Sequence, residues 1–122
     1  MAEIGLTGNR AIYEQVATNH DMSGGTVSFS IADNISTFTN IGVQAIWSSV
    51  TASSTVDGLI RVQFSNDGSN WDLAEYRKIT INSANGSGKI DIRKFGSRYA
   101  RVYLTKTDIT GGTLNIHIVA KD

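Results

Sequence analysis

At 122 residues the chain has the size of one domain with room for a sizeable hydrophobic core, and its eleven basic and eleven acidic side chains cancel. With charged residues at 18%, no summed field draws the chain to nucleic acid or to an anionic membrane, and neither is expected as a partner. There is no cysteine, which excludes a disulfide scaffold and a thiolate metal site.

No apolar stretch approaches the ~20 residues that span a bilayer, and Met1-Ala2-Glu3-Ile4 lacks the basic region and apolar run of a signal peptide, so a soluble protein is expected. Twelve glycines and no proline, among many Thr, Ser, Ile and Val, favour short strands joined by glycine and Asx turns. The composition predicts an all-β fold.

In chain order, residues 1–10 carry Ile4 and Leu6 without periodicity and read as an N-terminal arm, leaving 11–122 as the folded domain. Ala11 to Ala17 fits a short helix by the four-residue spacing of Ile12 and Val16 or an edge strand by the alternation of Ile12, Glu14 and Val16, with the all-β context favouring the strand, and Thr18 to Gly25 reads as a loop. Val27, Phe29 and Ile31 then alternate with hydroxyl residues. After a turn at Asp33-Asn34, Ile35 to Phe38 fits either a short edge strand or a crossing loop.

Ile41, Val43, Ala45 and Trp47 share the apolar face of the next strand, and a connector, Ser49 to Val56, leads to Gly58 to Phe64. The connector predicts that these two strands pair antiparallel. In the second, Ile60, Val62 and Phe64 alternate with Leu59, Arg61 and Gln63. It ends in the polar run Ser65 to Asn70, whose Asp67-Gly68 pair suits a tight turn before Trp71 restarts the apolar pattern. Earlier strands are expected to pair with this one, and later strands to close a second sheet over its apolar face.

Tyr76 to Ile81 reads as a strand, Asn82 to Gly88 as a loop, and Lys89 to Arg93 as a strand with its charges outward. A turn at Phe95-Gly96-Ser97 enters Arg98 to Thr105, where Ala100, Val102 and Leu104 oppose Tyr99, Arg101 and Tyr103. A hairpin loop holding Thr110-Gly111-Gly112 delivers Leu114, Ile116 and Ile118 on one face, with Asn115 and His117 on the other. About eight strands at this turn density predict a single-domain antiparallel β-sandwich or jelly roll.

Residues with reactive chemistry are few. Asn66 to Asp72 offers oxygen ligands around a glycine, yet it lacks the alternating acids, terminal glutamate and flanking helices of a calcium loop. An Asx turn accounts for the same residues, and no metal or other cofactor is expected. His20 and His117 stand far apart in sequence, and there is no zinc-protease, nucleophile-elbow or phosphate-loop motif, so an enzyme is not expected. The candidate surface is basic and aromatic: Tyr99, Arg101 and Tyr103 on one strand face, with Trp71 and Asn70 from the turn. It suits packing against another protein, or less well a ligand such as a glycan.

The run Gly58-Leu59-Ile60-Arg61-Val62-Gln63-Phe64-Ser65-Asn66-Asp67-Gly68-Ser69-Asn70-Trp71, with Arg98-Tyr99-Ala100-Arg101-Val102 and Gly112-Thr113-Leu114, resembles small β-sandwich proteins of tailed bacteriophage particles. In that group a strand leading into an S-x-D-G-x-x-W turn, an aromatic-x-R-V strand and a glycine-led final strand recur. The likeness covers Ile41 to Ala120, about two thirds of the chain. It implies a virion structural role made in the host cytoplasm: capsid decoration or auxiliary head protein, or a connector, tail or fibre component. The implied partners are further copies of the chain, as a homo-oligomer, and virion proteins such as the major capsid protein. The D-G-x-x-W turn also occurs in carbohydrate-binding sandwiches. The alternative is therefore a sugar-binding jelly roll of a tail fibre or cell-surface protein, with Trp47, Trp71 or Tyr99 as its platform.

Overall fold

The computed structural model describes residues 2–6, 9–31, 34–73, 77–93 and 96–122. Among them the alternating segments form ten strands and no helix. These are β1 (Ala2–Leu6), β2 (Asn9–Asp21), β3 (Val27–Ser30), β4 (Asn40–Ala52), β5 (Gly58–Ser65), β6 (Asp72–Leu73), β7 (Ile79–Ile81), β8 (Gly86–Arg93), β9 (Tyr99–Lys106) and β10 (Ile109–Lys121). They build two antiparallel sheets, one ordered β1-β2-β10-β4-β8 and the other β3-β9-β5-β6, with β7 pairing β5 alongside β6.

The period-two pattern explains why the sheets stack. Ile41, Val43, Ala45 and Trp47 of β4, Ile90 and Ile92 of β8, and Leu114, Ile116, Ile118 and Ala120 of β10 are buried on the inner face of the first sheet. Ile60, Val62 and Phe64 of β5, Ala100, Val102 and Leu104 of β9, and Ile79 and Ile81 of β7 are buried on the second. Met22, Ile35 and Phe38 plug the interior from the loops. Each fully buried aliphatic side chain contributes roughly 1.5–3 kcal/mol, which holds the sandwich without any cross-link. The antiparallel all-β sandwich is the fold that the sequence predicts.

Pairing departs from expectation. β4 and β5 do not pair: β4 lies between β10 and β8, whereas β5 lies between β9 and the β6 and β7 segments. The connector after Ala52 crosses from one sheet to the other, so the partners of β5 all follow it in the chain. Ala2–Leu6 pair along β2, from Ala2 opposite Tyr13 to Leu6 opposite Asn9. Ile35 to Phe38 is a turn, with Phe38 N–H donating to the Ile35 carbonyl at 3.0 Å. The turn expected at Asp33-Asn34, the strand start at Tyr76 and the turn at Phe95 fall wholly or partly outside the described residues, and the described strand there is Ile79–Ile81.

Several segments expected as loops are strand. Thr18 to Asp21 continue β2 through a bulge, where Asn19 takes a φ of 48° and its N–H donates to Asn115 Oδ1 at 2.9 Å. Ser49 to Ala52 continue β4 past a second irregularity, with Ser49 at a φ of 55° and its N–H donating to Asn85 Oδ1 at 3.1 Å. Gly86 and Gly88 are strand glycines of β8 required by packing: a Cβ on Gly86 would stand 2.7 Å from the Trp47 ring, and one on Gly88 would stand 2.5 Å from Ile79. Gly111 and Gly112 lie within β10, and the β9–β10 turn is instead Thr107-Asp108, where Asp108 N–H donates to Asp57 Oδ1 at 2.8 Å.

Candidate functional site

The surface that the sequence singles out begins at the turn after β5. Asp67 organises it: its Oδ1 accepts the N–H groups of Ser69 and Asn70, both at 2.8 Å, and the Ser65 hydroxyl at 2.9 Å. Its Oδ2 accepts the Asn70 amide at 2.7 Å, and Gly68 N–H donates to Ser65 Oγ at 2.9 Å. Gly68 takes the positive φ, 78°, that its position in the turn demands. The Asn70 backbone N–H, then that of Ser69, holds the Asp67 carboxyl well below its ordinary value. Both carboxylate oxygens are thus engaged by the turn, and Asn70 belongs to this network.

The turn delivers Trp71 to the outer face of the second sheet, where the Arg101 guanidinium lies 4.4 Å from the indole centroid. Arg101 sits opposite Gln63 in the β5–β9 ladder, and its Nε donates to Gln63 Oε1 at 2.7 Å. Tyr103, two residues along the same face, has its ring 6.0 Å from the same guanidinium and stands opposite Arg61. Tyr99 lies beneath the Arg98 guanidinium at 5.3 Å and packs against Gly68. Tyr99, Arg101, Tyr103 and Trp71 therefore form one face, with arginines laid over aromatic rings.

Trp47, by contrast, is 4% exposed, and its Nε1 donates to the Ser83 carbonyl at 3.2 Å. The indole expected as one sugar platform is a core residue. Of the other two platform candidates, Trp71 is under Arg101 and Tyr99 is under Arg98.

The histidines point to opposite sides of the first sheet. His20 meets the Phe29 ring edge-on at 4.9 Å, at the rim between the sheets. His117 lies on the outer face, its Nδ1 hydrogen-bonded to the Tyr13 hydroxyl and its ring stacked on Tyr13 at 5.7 Å. This outer face was not singled out by the sequence. It holds the exposed side chains of Tyr13 and Ile46 and a shallow depression of about 210 Å³ over Gly42, between Tyr13, Gln44, Lys89 and His117. The alternation of Ile12 with Glu14 would have placed Tyr13 outward, but no motif marked it. Among the described residues, no group of three His, Asp or Glu is placed to hold a metal ion.

No family model matches the chain, and no curated protein matches it. Solved structures do. The protein YomS from the SPBc2 prophage overlaps with a TM-score of 0.53 at 12% identity, over 98% of this chain and 99% of that one. The VP2 subviral particle of infectious bursal disease virus overlaps with a TM-score of 0.53 at 13% identity, over 93% of this chain, which spans 32% of the length of that one. A carbohydrate-binding module specific for non-crystalline cellulose overlaps at a TM-score of 0.44 and 11% identity, over 96% of this chain and 76% of that one. At these identities the likeness is one of fold.

Proposed function

We infer that this chain is a non-enzymatic virion structural protein of a tailed bacteriophage, a capsid decoration or auxiliary head protein that works by self-association and by docking on the particle. The observation that carries this reading is the outer face of the second sheet. Trp, Tyr and Arg are the side chains that contribute most at protein interfaces, and here they form a contiguous patch on a rigid sheet. The β5 turn and β9 motif that resemble phage particle proteins are the segments that build that patch. A prophage-derived protein that matches this chain almost end to end, and a viral capsid protein, share the fold, which fits a particle component.

The sugar-binding alternative draws less support. Its three platform rings are either in the core or covered by arginine. The direct test is quantitative mass spectrometry of purified phage particles, with immunogold labelling to locate the chain. The expected result is a fixed, high copy number on the head surface. Its absence from washed particles, or reproducible glycan-array binding by the purified protein, would overturn the assignment.

A further inference from the structure

We propose that the Arg101 face docks an acidic, carboxylate-bearing protein segment, with Arg101 as the bidentate anchor. The inference rests on the reading of this face as the docking surface and names its partner's chemistry.

The geometry of Arg101 is that of a prepared receptor. Its guanidinium carbon lies over the Trp71 ring, 4.4 Å from the centroid, and its Nε is committed to Gln63 Oε1 at 2.7 Å. Two restraints hold the fork before any partner arrives, and the Nη edge has no partner among the described residues. A fork held in this way matches the two oxygens of a carboxylate, and little side-chain entropy remains to be lost on binding.

Arg61 stands opposite Tyr103, and therefore diagonal to Arg101 across the ladder at about 7–8 Å between Cα atoms. That interval is close to the spacing of about 6.6–6.8 Å between residues i and i+2 of an extended strand, whose side chains share a face. A segment with acids at alternate positions would meet both guanidiniums.

Charge supports the same partner. The outward positions of β3, β5 and β9 hold Arg61 and Arg101 and no acidic residue, whereas Lys106 sits in the inward register of Leu104 and its Nζ donates to the Gly24 and Ile109 carbonyls. Asp72, at the sheet edge, pairs with Phe64 and so sits in register with the inner face. The face is thus locally cationic on a chain of zero net charge. Two forks suit discrete carboxylates better than a phosphate backbone, whose proteins typically neutralise several phosphates in succession.

The test is an NMR titration of the full chain with hexaglutamate, following the Arg101 Nε–H and the Trp71 indole N–H, with hexaglutamine as control. Hexaglutamate should shift both signals and hexaglutamine neither. Arg101→Lys, which keeps the charge and loses the fork, should weaken binding about tenfold or more. Lys121→Ala, on the other sheet, should leave binding unchanged, and thermal melts should show both variants folded. Absence of the shift, an Arg101→Lys variant that binds like the wild type, or a stronger response to oligothymidylate or polysialic acid would overturn the proposal.

Particle occupancy separates the two levels. Folded Arg101→Lys protein at wild-type copy number on particles would overturn the docking inference and leave the virion role standing. Wild-type chain absent from particles would overturn the role, with the peptide titration still deciding whether the face takes carboxylates.

Discussion

Single residues carry two kinds of constraint in this protein, one polar and one steric. Asp67 holds the β5 turn as an ionised acceptor, and its carboxyl titrates below its ordinary value of 3.8 because the Asn70 and Ser69 N–H groups favour the charged form. A carboxyl depressed by folding contributes stability at pH values above its unfolded pKa, and that contribution fades as pH falls from about 4 towards the lower folded value. Asp67→Asn should therefore lower the melting temperature at pH 7, and the gap from wild type should narrow progressively between about pH 4 and 2 in melts followed by circular dichroism. A gap that stays constant would assign the turn's stability to something other than the carboxylate. The steric constraint sits at Gly86 and Gly88, where a methyl group would collide with Trp47 and Ile79. Gly86→Ala and Gly88→Ala should each cost about 1–3 kcal/mol in urea unfolding, while Gly24→Ala, with open space around it, should cost far less. The Asp67-Gly68 turn was legible because Asx and glycine chemistry is local. The two packing glycines were not, because the side chains that require them come from β4 and β7, and so they read as loop residues.

At the scale of elements, alternation was a sound guide to which residues face inward and a poor guide to neighbours. Ile60, Val62 and Phe64, Ile90 and Ile92, and Leu114, Ile116 and Ile118 are buried as their period predicts. Ile116→Ala, in the middle of the sheet, should cost about 2–5 kcal/mol. Ile46→Ala, at an outward position 41% exposed on the neighbouring strand, should change stability by no more than about 0.5 kcal/mol by the same measurement. Strand ends were misjudged where side chains patch an irregular backbone, as Asn115 does for Asn19 and Asn85 does for Ser49. A polar run such as Thr18 to Asp21 looks like a loop until the partner amide that keeps it in the ladder is seen. The Arg101 face was readable in part. Period two places Tyr99, Arg101 and Tyr103 together, but the stacking of Arg101 on Trp71 depends on how the turn returns the chain to the sheet.

For the whole molecule, the expected order of assembly is testable without knowing the partner. Size exclusion with light scattering should give a particle mass that is a multiple of the chain mass, and a clean monomer at high concentration would count against self-association. The sequence reading puts β4 and the earlier strands beside β5 in one sheet, which is wrong because a connector can turn back as a hairpin or cross between sheets, and the segment after Ala52 crosses. Long-range closure has a further consequence in the first sheet. β10 lies between β2 and β4, so its partners reach back to Ala11, which stands opposite Lys121 near the other end of the chain. Until β10 is made, β2 has only β1 beside it and β4 only β8, so each presents an open ladder edge towards the missing strand. The nascent chain therefore holds this sheet only as two separate strand pairs, β1–β2 and β4–β8, and a polypeptide halted before residue 109 would emerge with two sticky edges, a substrate for chaperones or for aggregation.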